Sequence, residues 1–255
     1  MLLYTAFILN TLVEIIIKNT MNEQHISQKE QILNLLKVKS VMKQDVFKNT
    51  VSCFELLKQS VNEISSDLKK ESEAIDKRVG ISSLEINNFA AQLKVAGDLL
   101  EFFMYTNVFE FEKSHAMFRT GYVKQNELNS YCGIINVYNF MADSFKYNRT
   151  EDLGYLVCRI FINRESRFFI ESKGNIGIKY ASFSDTAITK EILIEIINDL
   201  IIYAISFDLY TPPFDSVKQV SLGDIQEKVS SINLRIGKRL GYDTKSNSTD
   251  EELYV

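Results

Sequence analysis

With 255 residues and 45% hydrophobic composition, the chain is long enough for one large domain or two modest ones and apolar enough for a real core, which excludes a disordered polypeptide. The 29 basic and 33 acidic residues leave a net charge of -4, so no global field draws it to nucleic acid or anionic lipid, and nucleic acid is not a favoured partner. Cys53, Cys132 and Cys158 lie far apart and His25 and His115 are the only histidines, so no zinc-ligand spacing exists; the thiols read as reduced and buried, in a cytoplasmic protein that needs no cofactor.

Residues 1–20 form an apolar segment, with Leu9, Leu12, Val13 and Ile15 to Ile17 interrupted by Asn10 and Glu14. The run is shorter than the roughly 20 residues of a membrane-crossing helix, and it lacks the basic leader and small-residue cleavage site of a signal peptide. Three readings stand: a buried N-terminal helix, a membrane-associating segment, or a stretch ahead of a true start at Met21. Membrane contact is expected only through these residues. From Ser27 to Lys39 a helix follows, with capping-box spacing between Ser27 and Glu30 and apolar surface from Ile32, Leu33, Leu35 and Leu36.

Between Asp45 and Arg78 a heptad ladder, Phe47, Phe54, Val61, Leu68 and Ile75, is partly doubled by Leu57 and Ile64. It predicts a long helix lying against another helix, about 50 Å long at 1.5 Å per residue. Glu71 and Arg78 occupy the paired positions further on, which favours the edge of a bundle over an extended coiled coil. Val79-Gly80 and Ser82-Ser83 interrupt the pattern. Ile86, Phe89, Leu93, Ala96, Leu100 and Phe103 then restore helical spacing, so a second, antiparallel helix is expected. Phe102 to Tyr105 and the alternation Phe109-Glu110-Phe111-Glu112 suggest a brief half-buried strand or an aromatic wall. A helix over 125–140 completes a helical region assigned to 21–148.

The texture changes after the polar connection Tyr147 to Asp152. Within a region assigned to 149–240, Tyr155–Ile162, Arg167–Glu171 and Ile176–Ala181 read as three strands of an antiparallel meander, turning at Asn163–Ser166 and Lys173–Asn175. A strongly apolar helix through Phe207 covers them, and Pro212-Pro213 ends it. A last helix from Ser221 to Leu240 carries Leu222, Ile225, Val229, Ile232 and Ile236 on one face, and the polar, acidic tail 241–255 reads as disordered. The expected fold is therefore α+β and mostly α: a helical hairpin or bundle packed with a small three-stranded meander.

Two functions follow from these elements. Glu171 and Lys173, two apart on a strand and joined by Asp152 or Glu165 as a further acid, resemble the E-x-K strand signature of the PD-(D/E)xK nuclease superfamily. The resemblance implies a Mg-dependent nuclease in which Asp152 and Glu171 hold the metal and Lys173 orients or deprotonates the nucleophile. The favoured reading is a non-enzymatic protein-binding, adaptor or chaperone-like assembly protein. The order of helices and strands loosely resembles that of secretion-chaperone-like folds. Phe47, Phe54, Val61, Phe102, Phe103, Phe109 and Phe111 are its leading contact residues, with another protein or a second copy as partner.

Overall fold

A long amphipathic helix buries its stripe on whatever apolar surface the rest of the chain presents, and here that surface is a sheet. In the computed structural model, which describes residues 27–173, 175–207, 213–223 and 225–226, the chain divides into two compact units, Met1–Asp45 and Val46–Val255. The apolar segment 1–20, the start at Met21, the tail 241–255 and all but the first residues of the last helix lie outside the described residues. In the first unit, helix α1 (27–35) passes through a π-helical stretch, Leu36–Ser40, into the opening residues of helix α2 (Val41–Ile75). Ile32, Leu33, Leu35, Leu36 and Val38 are exposed.

The second unit is built on a seven-stranded antiparallel sheet. Its strands are β1 (Ile81–Asn87), β2 (Ala90–Val95), β3 (Asp98–Met104), β4 (Phe109–Glu110), β5 (Tyr131–Met141), β6 (Tyr155–Asn163) and β7 (Phe168–Ser172). The order is β1-β2-β3-β5-β6-β7, and β4 pairs with the start of β5. Short helices α3 (Gly121–Gln125), α4 (Ala142–Lys146) and α5 (Asn175–Lys179) decorate it, along with the 17-residue α6 (Lys190–Ser206), and a last short helix, α7 (Phe214–Val217), follows. One core joins Cys53, Phe54, Leu57, Val61 and Ile64 of α2 and Leu193, Ile196, Ile197 and Leu200 of α6 to one sheet face. That face carries Leu93, Leu100, Phe102, Ile135, Val137, Ile160, Phe168 and Ile170.

The mostly helical bundle with a three-stranded meander is thus overturned. The heptad ladder is the core seam of α2, but its mate is the sheet, and Ile75 at its end is 84% exposed. The second expected helix is the hairpin pair β1–β3. Its turns sit at Asn88-Phe89, where the Asn87 Oδ1 accepts from the Phe89 N–H at 2.8 Å, and at Ala96-Gly97, where Ala96 takes φ 54°. Apolar residues spaced by three and four across those turns imitate a helix, whereas Leu93/Val95 and Leu100/Phe102/Met104 alternate as strands do. The helix over 125–140 is a short 3-10 turn, Glu127–Ser130, followed by the eleven-residue β5. Of the three meander strands, 155–162 and 167–171 are β6 and β7; the third is α5, whose Ile176 drops into the core.

Close approach fixes the helix over the sheet. A Cβ on Gly133 of β5 would stand 2.0 Å from Thr50 Oγ1 of α2, so glycine alone lets the two backbones come so near. Asn49 Nδ2 donates to the Arg164 carbonyl at 2.7 Å, tying α2 to the β6–β7 turn. At the outer edge of β7, the N–H of Ile170 donates to Tyr180 O and that of Ser184 to Phe168 O, each at 2.8 Å, so the chain covers that edge itself.

Candidate functional site

Among the described residues the sheet face opposite α2 and α6 is covered at both ends: at one by the 142–154 segment, whose Phe145 meets Phe140 edge to face at 5.3 Å and whose Gly154 lies against the Phe140 ring, and at the other by the 111–125 segment with Phe183. There Phe111, Met117, Val123 and Phe183 pack on Cys132, Phe161 and Phe169, with the Phe161 and Phe169 rings stacked 4.4 Å apart. Thr120 caps α3 and Asn126 the following 3-10 turn, which holds the covering segment in short, tightly turned pieces.

Between those covers, strand alternation brings large polar and aromatic side chains into rows. Phe103, Asn136, Arg159 and Glu171 are successive register partners across β3, β5, β6 and β7; Gln92, Glu101 and Tyr138 form the next row. Phe103, 39% exposed, meets Tyr105 edge to face at 5.1 Å, and Tyr105 meets Phe109, 37% exposed, at 5.7 Å. Asn136 Nδ2 donates to the Tyr138 hydroxyl at 2.9 Å, and that hydroxyl also bonds the Tyr105 phenol. Burial, and then the Tyr138 neighbour, push the Tyr105 phenol above its ordinary range. Arg159 pairs with Glu171 at 2.5 Å, and His115, stacked on Phe111, places Nε2 3.9 Å from the same carboxylate. Glu101 is raised by burial, an effect opposed by the 2.6 Å bond it accepts from Gln92.

Such a surface offers rings, hydroxyls and one paired guanidinium, the equipment of recognition. None of the three thiols is activated. Cys132 and Cys158 are fully buried and their thiols are pushed up by desolvation, as is that of Cys53, to about 12. Among the described residues no group of three or more His, Cys, Asp or Glu is placed to hold a metal ion, and no helix is long and apolar enough to cross a membrane.

The expected contact residues separate into two sets. Phe54, Val61 and Phe102 are buried in the core and Phe47 packs against it, while Phe111 is part of the covering segment, packed on Phe161 and Phe169. Phe103 and Phe109 reach the open face. The acid-acid-lysine set is spread over different partners: Asp152 accepts from Ser144 Oγ at 2.6 Å and pairs with Arg149 at 2.8 Å, Glu165 accepts from the Tyr122 hydroxyl at 2.7 Å, and Glu171 is held by Arg159. Lys173 follows the last residue of β7 and is exposed. Asn136, Tyr138 and Arg159 are not among the contact residues expected from the sequence, and Tyr105 enters there only as the end of the aromatic run Phe102 to Tyr105. The signal was the alternation Asn136-x-Tyr138-x-Phe140, hidden because Leu128, Tyr131, Ile135 and Tyr138 also fit a helix.

The described residues also form hollows in the surface. A cleft of about 540 Å³ between α5 and α6 is lined by Lys179, Glu195 and Asp199, of which Lys179 and Glu195 pair with each other and Asp199 accepts from the Ile176 N–H at 3.2 Å. A smaller hollow of about 200 Å³ lies beside Phe140, Phe145 and Arg149. The chain matches no family model, no curated protein and no solved structure.

Proposed function

We propose that this is a non-enzymatic protein-binding module, of adaptor or assembly type, that engages its partner through the open sheet face. The observation that carries the reading is the edge-to-face run Phe103, Tyr105 and Phe109, partly exposed and bordered by Tyr138 and Arg159. Aromatic rings with polar tips, set beside an arginine, give large contact area at small entropy cost and recur as anchors of protein interfaces. The paired Arg159 and Glu171 supply a polar rim.

The test is affinity purification of the tagged protein from its native cell, with quantitative mass spectrometry, beside the double variant Phe103→Ala/Phe109→Ala. A protein retained stoichiometrically by the parent and depleted at least about tenfold by the variant supports this surface, as expected for loss of two interface anchors. An identical set of retained proteins in both samples overturns it.

A further inference from the structure

The two edges of the sheet are treated differently. The chain's own segment 180–188 hydrogen-bonds along the outer side of β7, whereas among the described residues β1 ends the strand order on the other side. Which backbone groups of β1 face outward follows from one hydrogen bond. Ala96 N–H donates to Gly80 O at 3.0 Å, so Gly80 and Ala96 form a hydrogen-bonded pair of the antiparallel ladder. By alternation Ser82 and Leu84, opposite Lys94 and Gln92, bond inward to β2; Ile81, Ser83 and Glu85 direct their N–H and C=O groups away from it.

Natural edges are blunted by charged side chains, lysine above all, by proline, by bulges or by a covering segment. The sequence Ile81-Ser-Ser-Leu-Glu-Ile-Asn87 holds neither lysine nor proline, and it displays Leu84 at 58% and Ile86 at 46% exposure. Its single charge is answered within the chain: Glu85 accepts from Asn62 Nδ2 at 2.7 Å and stands 3.6 Å from the largely buried Lys58 ammonium. A bulge between Glu85 and Asn87 ends the regular stretch, which confines any added pairing to a short ladder.

We propose that β1 pairs antiparallel, edge to edge, with β1 of a second copy, about a two-fold axis through Leu84. This register makes Ser83 and Glu85 of the two copies hydrogen-bonded partners, giving about four backbone bonds from groups that β2 leaves outward. The Leu84 residues of the two copies then form the non-hydrogen-bonded pair, in which side chains approach most closely. Ser83 faces Glu85 instead of a like charge, and the Lys58 ammonium offsets that carboxylate in each copy. The strand is thereby complementary to itself, as an isologous contact requires. The contact uses the edge of the sheet and does not depend on the aromatic face.

Sedimentation velocity between about 1 and 100 micromolar, with amide hydrogen exchange at both ends, tests it. The expected result is a concentration-dependent dimer in which the Ser83 and Glu85 amides slow about tenfold while those of Ser82 and Leu84 do not change. Ser83→Pro removes only an outward donor and Leu84→Lys adds a charge at the axis; each is expected to weaken the dimer at least about tenfold, and the lysine variant keeps the test open if the proline disturbs β1. A monomer at every concentration, a dimer that neither variant weakens, or Ser83 and Glu85 amides protected only by a different protein overturns the proposal.

Discussion

The two faces of the sheet are made from the same strands and differ in what each can be asked to do. On one, α2 and α6 exclude water from Phe54, Phe102, Ile135 and Phe168, all essentially inaccessible to solvent. On the other, Phe103, Tyr105 and Tyr138 directly follow the buried Phe102, Met104 and Val137 and remain half-buried or exposed. A one-residue step therefore separates a side chain that holds the fold from one left at the surface.

The difference is sharpest in stability. Phe54→Ala empties the centre of the α2–sheet contact and is expected to cost about 3–5 kcal/mol, measured by denaturant unfolding. Gly133→Ala drives a methyl group into Thr50, and a loss of about 1–3 kcal/mol is expected; adding Thr50→Ala recovers only part of it, because the Thr50 Cβ itself lies 2.8 Å from the new group. Phe103→Ala, on the open face, is expected to cost no more than about 1 kcal/mol while weakening partner retention. If it destabilised the protein as much as Phe54→Ala, the two faces would not differ as described.

The smallest effect concerns Glu101. Burial raises its folded-state pKa, so the ionised form is disfavoured in the fold, and the stability this group contributes is present below the unfolded carboxylate value, about 4.3, and lost as pH rises through the raised one. Glu101→Gln keeps an acceptor for Gln92 and removes the charge. Thermal unfolding is expected to show a gain of up to about 2 °C at pH 7 that disappears near pH 4. A gain of equal size at both pH values would point to packing instead of charge.

Those residues also show how far the sequence could be read. Phe54 and Val61 announce an amphipathic helix because both repeat on one side of it, and β6 and β7 announce themselves through apolar, β-prone runs around the Asn163–Ser166 turn. Leu93, Ala96, Leu100 and Phe103 misled, since apolar spacing by three and four arises when short strands are joined by two-residue turns, and only backbone pairing separates the two cases. For the same reason Phe103 was legible as part of an aromatic region, whereas its row-mates Asn136 and Arg159 were not: they lie 33 and 56 residues away in sequence and meet it through register alone.

Local chemistry in the sequence determined the elements whose signal is internal: the stripe of α2, the capped and apolar α6 and the β6–β7 hairpin. Tertiary structure decided what the stripe lies against, which of two apolar periods wins in 81–141, and which strand is left at an edge. Those outcomes depend on hydrogen bonds and burial between residues far apart in the chain, and a local pattern is equally compatible with either.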